Sequence, residues 1–188
     1  MLRPESANTD SVDAYYLLIH PCFPVLPPPA ASSPGEEQAQ LLDDGTAFAQ
    51  DSPLLQAINT LVALVPKSSE NSDAARAARH DYAGHCSDLA LKAIDRDMDS
   101  VEPLTRSRFH QDVPVHLEST LAALLVAVYE YSYRGSMTRA RARMASVITM
   151  AMDLRLHDVG LESTSDLVCK QRLWAMIVSC VQYFVTTV

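Results

Sequence analysis

Glycine is scarce in this sequence, with five residues in 188. That leaves little room for a phosphate-cradling loop, and neither a G-x-S-x-G turn nor an H-E-x-x-H pair occurs. Cysteine is equally thin. Cys22, Cys86, Cys169 and Cys180 are widely scattered and no C-x-x-C pair exists, so a disulfide scaffold is excluded. The four read as reduced thiols in a cytosolic or nuclear protein, most of them packed as small apolar residues. Basic charge is also short: 15 Lys and Arg stand against 23 Asp and Glu, a net charge of -8. A stand-alone nucleic-acid binder would show a basic surplus instead. The N-terminus has no apolar core of a signal peptide, and no N-x-[ST] sequon is present. The most apolar stretch, residues 173–188, is too short to span a membrane and carries Ser179, Gln182, Thr186 and Thr187. It reads as a buried core helix.

What is present is an ordinary apolar fraction, 48%, in a length that suits one domain. The charge is uneven. Residues 1–70 hold nine acidic and two basic side chains, whereas residues 71–188 are close to neutral. Nine of the eleven prolines also lie at or before Pro66. The expected organisation is an N-terminal helix and Pro-rich segment over 1–29, a flexible acidic loop over 30–52, and a helical domain over 53–188.

Apolar spacing predicts helices throughout, with no convincing strand alternation. A short helix over 10–19, capped by Asp10 or Ser11, is stopped by a segment running from His20 to Pro29 that its prolines should keep extended. Pro53 opens a helix over 53–65, with Ser52 or Asp51 as cap and Leu54, Leu55, Ile58, Leu61, Val62 and Val65 as its stripe. A long Ala-rich helix runs from Ser72 or Asp73 to about Arg96, its apolar positions including Ala75, Ala78, Tyr82, Leu89, Ile94 and alanines between, with Gly84 near its middle. Residues 97–112 are mixed, with one helical turn possible at Pro103. After Pro114, Leu117, Leu121, Leu124, Leu125 and Val128 share a face up to about Tyr133. Ser136 or Thr138 caps the next helix, to about Leu156, with Ala140, Met144, Val147, Ile148 and Ala151 inward. Asp166 caps the last, whose stripe includes Leu167, Trp174, Ile177, Val178, Val181 and Val185. The fold class is all-α, an irregular array of antiparallel helical hairpins behind an extended Pro-rich N-terminal segment.

Reactive residue types are grouped in few places, and each has a simple structural explanation. In His80-Asp81-Tyr82-Ala83-Gly84-His85-Cys86, adjacent His85 and Cys86 point about 100° apart on a helix, poor placement for a nucleophile and its base. His20 beside Cys22 and His157 beside Asp158 could be metal pairs. Alternate prolines and a helix C-terminus account for them without metal. Of Arg134, Arg139, Arg141 and Arg143, Arg139 and Arg143 share a face but Arg141 lies opposite, so a phosphate-binding patch is broken and a solvated helix face is expected. No catalytic residue and no metal ligand is assigned.

The order of residues is more telling than their composition. Tyr129-Glu130-Tyr131-Ser132-Tyr133-Arg134-Gly135, then Met150-Ala151-Met152-Asp153-Leu154-Arg155-Leu156-His157, then Gln171-Arg172-Leu173-Trp174 resemble the middle homology region of fungal zinc-cluster transcription factors. That family has a Y-x-x-x-x-G stretch, an A-x-x-L-G-L-H motif, an acidic loop and an R-R-x-W-W helix. The front is similar to the family's Y-F-x-x-x-H-P-x-F-P-I-L opening, through Tyr15-Tyr16-Leu17-Leu18-Ile19-His20-Pro21-Cys22-Phe23-Pro24-Val25-Leu26. The residues carrying the resemblance are thus Tyr15, His20, Pro21, Phe23, Pro24, Tyr129, Gly135, Leu154, Leu156, His157, Arg172 and Trp174. Three positions depart from the pattern: Arg155 stands where the family often has Gly, Gln171 replaces one arginine, and Ala175 follows Trp174.

The resemblance implies a non-enzymatic regulatory domain that modulates RNA polymerase II transcription in the nucleus. Its partners would be the transcription machinery, a co-regulator or a second copy of the chain, without a membrane. In the family, DNA is bound by a separate six-cysteine, two-zinc module, which four scattered cysteines do not supply. No cofactor is therefore expected here, and the chain would be one part of a longer regulatory protein. Two other classes stay open on the residues alone. One is a free-standing helical interaction module or dominant-negative regulator. The other is a small helical enzyme or ligand-binding protein, which would show a closed pocket with convergent ionisable groups.

Overall fold

A computed structural model of the chain describes residues 13–24, 52–66, 72–100, 107, 109, 113–158 and 165–186. Among them there is no strand. A π-helical turn, Tyr15–Ile19, precedes five α-helices: α1 (Pro53–Val62), α2 (Asp73–Asp99), α3 (Val115–Ser132), α4 (Met137–Asp153) and α5 (Ser165–Thr186). The all-α expectation is met. The expected caps Asp10 and Ser11, residues 25–29 of the Pro-rich segment, the acidic loop up to residue 51, the turn at Pro103 and the loop at 159–164 lie outside the described residues.

Local chemistry explains where the helices begin and end. Ser52 is the N-cap of α1: its Oγ accepts the Leu55 amide at 3.1 Å, and Pro53 occupies the first helical position. Ser72 does the same for α2 through the Ala75 amide, also at 3.1 Å. The helix α5 starts at Ser165, which puts Asp166 inside the first turn rather than at the cap. The helix α4 stops at Asp153, a few residues earlier than its apolar spacing predicts. Residues 20–22 are a turn, closed by the Cys22 and Phe23 amides donating to the Ile19 carbonyl at 3.0 and 2.8 Å, so any extended path begins after them.

The core is organised around α3, which packs against all four other α-helices. Its closest partners are α4, joined to it through residues 133–136, and α1, which also forms a hairpin with α2. A helix so surrounded has no dry stripe. Leu117, Leu121 and every residue over 122–127 are buried, whereas Val128, expected inside, is half-buried. Of the apolar positions expected along α2, the alanines from Ala83 onward and Ile94 are the ones that turn inward. Ala83, Cys86, Ser87, Ala90, Ala93 and Ile94 face in, Ala78 and Tyr82 face solvent, and Ala75 and Leu89 are half-buried. In α4 the expected Ala140, Met144, Val147 and Ala151 are buried. In α5 the buried residues are Cys169, Leu173, Ile177 and Phe184, at helical spacings of four, four and seven. Leu167, Trp174, Val178 and Val181 form a second, half-buried stripe beside them. Among the described residues no helix is long and apolar enough to cross a membrane.

Candidate functional site

The residues of the front and back motifs, more than a hundred positions apart in sequence, fall into three groups. The first surrounds Tyr15. Its ring is fully buried, and its hydroxyl donates to the Phe23 carbonyl at 2.9 Å, which folds the turn back on itself. The His20 ring lies against both Tyr15 and Tyr16, with centroids 5.8 and 5.2 Å apart. Burial lowers the His20 pKa, and the positive charge of Arg172 on α5 lowers it further. Front-motif His20 is therefore within electrostatic reach of back-motif Arg172. Among the described residues its buried Nδ1 has no hydrogen-bond partner. Pro21 and Pro24 are exposed, whereas Phe23 packs partly against the core.

The second group is the end of α4. Arg155 has φ of 51°, a left-handed conformation that glycine adopts without cost. The Arg155 amide donates to the Met152 carbonyl at 3.0 Å, and the Leu156 amide to the Ala151 carbonyl at 2.9 Å. These are the two bonds of a Schellman ending, with Arg155 in the glycine position. The reversal drives Leu156 into the core, where it is fully buried, while Leu154 packs partly against it. It also brings His157 beside Trp174 of α5, ring centroids 6.1 Å apart. This cluster joins the ends of two helices through a sequence that reads Leu-Arg-Leu-His.

The third group is the end of α3. Gly135 has φ of 63°, and the Ser136 amide donates to the Glu130 carbonyl at 3.0 Å as the chain turns into α4. Tyr129, one turn earlier, is buried. Between them sits Glu130, whose Oε1 lies 3.5 Å from Arg134 and 3.3 Å from Arg139. Three of the four arginines of the row thereby have partners. Arg134 and Arg139 neutralise a buried carboxylate, and Arg141 donates to the Phe184 carbonyl in the last turn of α5 at 3.3 Å.

Two buried carboxylates escaped sequence reasoning. Besides Glu130, Glu118 is 1% exposed. It accepts from the Ser52 hydroxyl at the cap of α1 and from Ser107 at 2.8 Å, while Ser119 beside it donates to Asp97 of α2 at 2.7 Å. Glu118 thus ties two separate segments to α3, and its neighbour Ser119 ties a third. A charged residue inside an otherwise apolar helical run is the one signal that could have found it.

The other sequence candidates stay apart. Cys86 is buried, and burial raises its thiol pKa, partly offset by a hydrogen bond with Tyr82, so it is a poor nucleophile at neutral pH. His85 is exposed on a different side of α2. Cys22 is exposed while His20 packs on tyrosines. Among the described residues no three His, Cys, Asp or Glu side chains are arranged to hold a metal ion. No family model, curated protein or solved structure matches this chain.

Proposed function

We propose that this chain is an all-α regulatory domain of the fungal zinc-cluster transcription-factor type. On this reading it modulates RNA polymerase II transcription in the nucleus by contacting a co-regulator, the transcription machinery or a second copy of itself. It has no catalytic role and no cofactor of its own. DNA would be reached only through a separate zinc-bearing module.

The observation that carries the reading is the ending of α4. The motif places glycine before Leu-His, and in this chain that position has left-handed backbone although its residue is Arg155. A substitution that leaves the conformation intact is what a shared packing arrangement predicts. Support also comes from the front motif, whose His20 lies within the electrostatic reach of Arg172 of the back motif. Protein contact is favoured by α5, which leaves Val168 and Tyr183 exposed beside its second apolar stripe.

The test is a tethering assay. The whole chain, fused to an unrelated DNA-binding domain, should change the output of a reporter that carries that domain's site. Purified alone, it should give no salt-sensitive, sequence-selective shift of DNA. A selective shift by the isolated chain would overturn the division of labour proposed here.

A further inference from the structure

An open, shallow groove runs between the middle of α2 and the C-terminal end of α3. One wall is the α2 face bearing Asp81, Gly84, His85 and Asp88, residues at spacings of one, three and four that share a side of the helix. Tyr129, Tyr133 and Arg134 form the other wall.

The floor is unusual. Tyr129 is 2% exposed, yet its hydroxyl reaches the groove, 3.8 Å from where a Cβ on Gly84 would stand. That hydroxyl makes no hydrogen bond among the described residues. Burial raises its pKa, so it remains a neutral phenol, able to donate and to accept. Opening onto the groove, the hydroxyl keeps access to water, and a polar group of a ligand would take that water's place.

Besides His80 and His85, the groove is lined by two carboxylates and one arginine. Asp81 and Asp88 are exposed and make no ion pair among the described residues, whereas the one arginine, Arg134, is engaged with Glu130. The Tyr133 ring is 51% exposed and offers a π face. Asp81 and Asp88 are two helical turns apart, about 10 Å along the axis. One ammonium group cannot serve both carboxylates at that separation, but two at the ends of an aliphatic chain can.

We propose that this groove binds an aliphatic polyamine. Its terminal ammonium groups would pair with Asp81 and Asp88, its chain would cross Gly84 and the Tyr129 hydroxyl, and the Tyr133 ring would face a cationic nitrogen. The missing side chain at Gly84 keeps the path over the phenol open. This site is independent of the transcriptional reading.

The test is a calorimetric titration of the whole chain with spermidine at low salt, with n-butylamine and Nα-acetyl-lysine amide as single-ammonium comparisons. Spermidine should bind saturably, one per chain, and at least tenfold more tightly than either comparison. Asp81→Asn with Asp88→Asn should weaken it at least tenfold, and Tyr129→Phe about threefold. Asp95→Asn with Asp99→Asn, which removes the same charge from exposed positions further along α2, should leave binding as it was. Absence of saturable binding overturns the proposal. So does equal weakening by the Asp95/Asp99 variant, which would mean diffuse attraction to an acidic surface, or equal affinity for the single-ammonium compounds.

Discussion

The Arg139 guanidinium lies with its Nε 3.3 Å from Oε1 of Glu130, a carboxylate whose side chain has no exposed surface. Arg134, just past the end of α3, approaches the same oxygen at 3.5 Å. Both arginines keep about two-fifths of their side chains in water (38% and 45%), so the pairing is lopsided: the acid is committed to the interior and its partners are not.

This lopsidedness predicts an order of stabilities. Replacing both arginines by Gln strands a buried charge and should cost about 3 kcal/mol. Glu130→Gln leaves two guanidinium groups that can turn to water, and should cost about 1 kcal/mol. Thermal melting of the two variants checks this, and equal losses would contradict the account of Glu130.

A second prediction concerns Arg155. Its left-handed backbone strains any side chain with a Cβ, so Arg155→Gly should stabilise the chain by about 1 kcal/mol. Arg155→Val, β-branched at the same φ, should destabilise it. Chemical denaturation midpoints at constant slope measure both.

Gly84 behaves differently from Gly135. It lies in the middle of α2, and a Cβ there meets only the Tyr129 hydroxyl, at an ordinary 3.8 Å. Gly84→Ala should therefore stabilise the helix by about 1 kcal/mol. A drop in melting temperature would show that the helix needs glycine there for packing.

The pH dependence follows from His20. Its folded pKa is lowered below the ordinary 6.5, first by burial and then by Arg172. The folded form therefore binds its proton less readily than the unfolded chain, and stability rises with pH through this window. The contribution is complete above pH 6.5 and is lost as pH falls from there through the lowered value. The expected result is a melting temperature that drops on acidification below pH 6.5, less so in His20→Gln and in Arg172→Gln. A His20 titration by NMR at or above 6.5 would contradict the assignment.

Helix existence and most helix starts were legible because they depend on neighbours in sequence: Ser52 before Pro53, and Ser72 before an alanine run. The inward face was legible where one side is wet, as in α4. It was not legible in α3, where surrounding helices bury nearly every position and leave no contrast to read. In α2 the alanines are interchangeable in hydropathy, so Ala83 and Ala90 could not be told from Ala78. Glu118 owes its place to Ser52, 66 residues away, a distance no local pattern spans. The motif residues were named from sequence, but the electrostatic influence of Arg172 on His20 and the left-handed turn at Arg155 required the fold.

The tethering assay bears most directly on the proposed function. The whole chain joined to an unrelated DNA-binding domain should change reporter output at least threefold. Val168→Asp, at an exposed position on α5, should return the output to that of the DNA-binding domain alone without lowering the melting temperature. A fusion that is folded and bound at the promoter, yet indistinguishable from the DNA-binding domain alone, would contradict the assignment of this chain as a transcriptional regulatory domain.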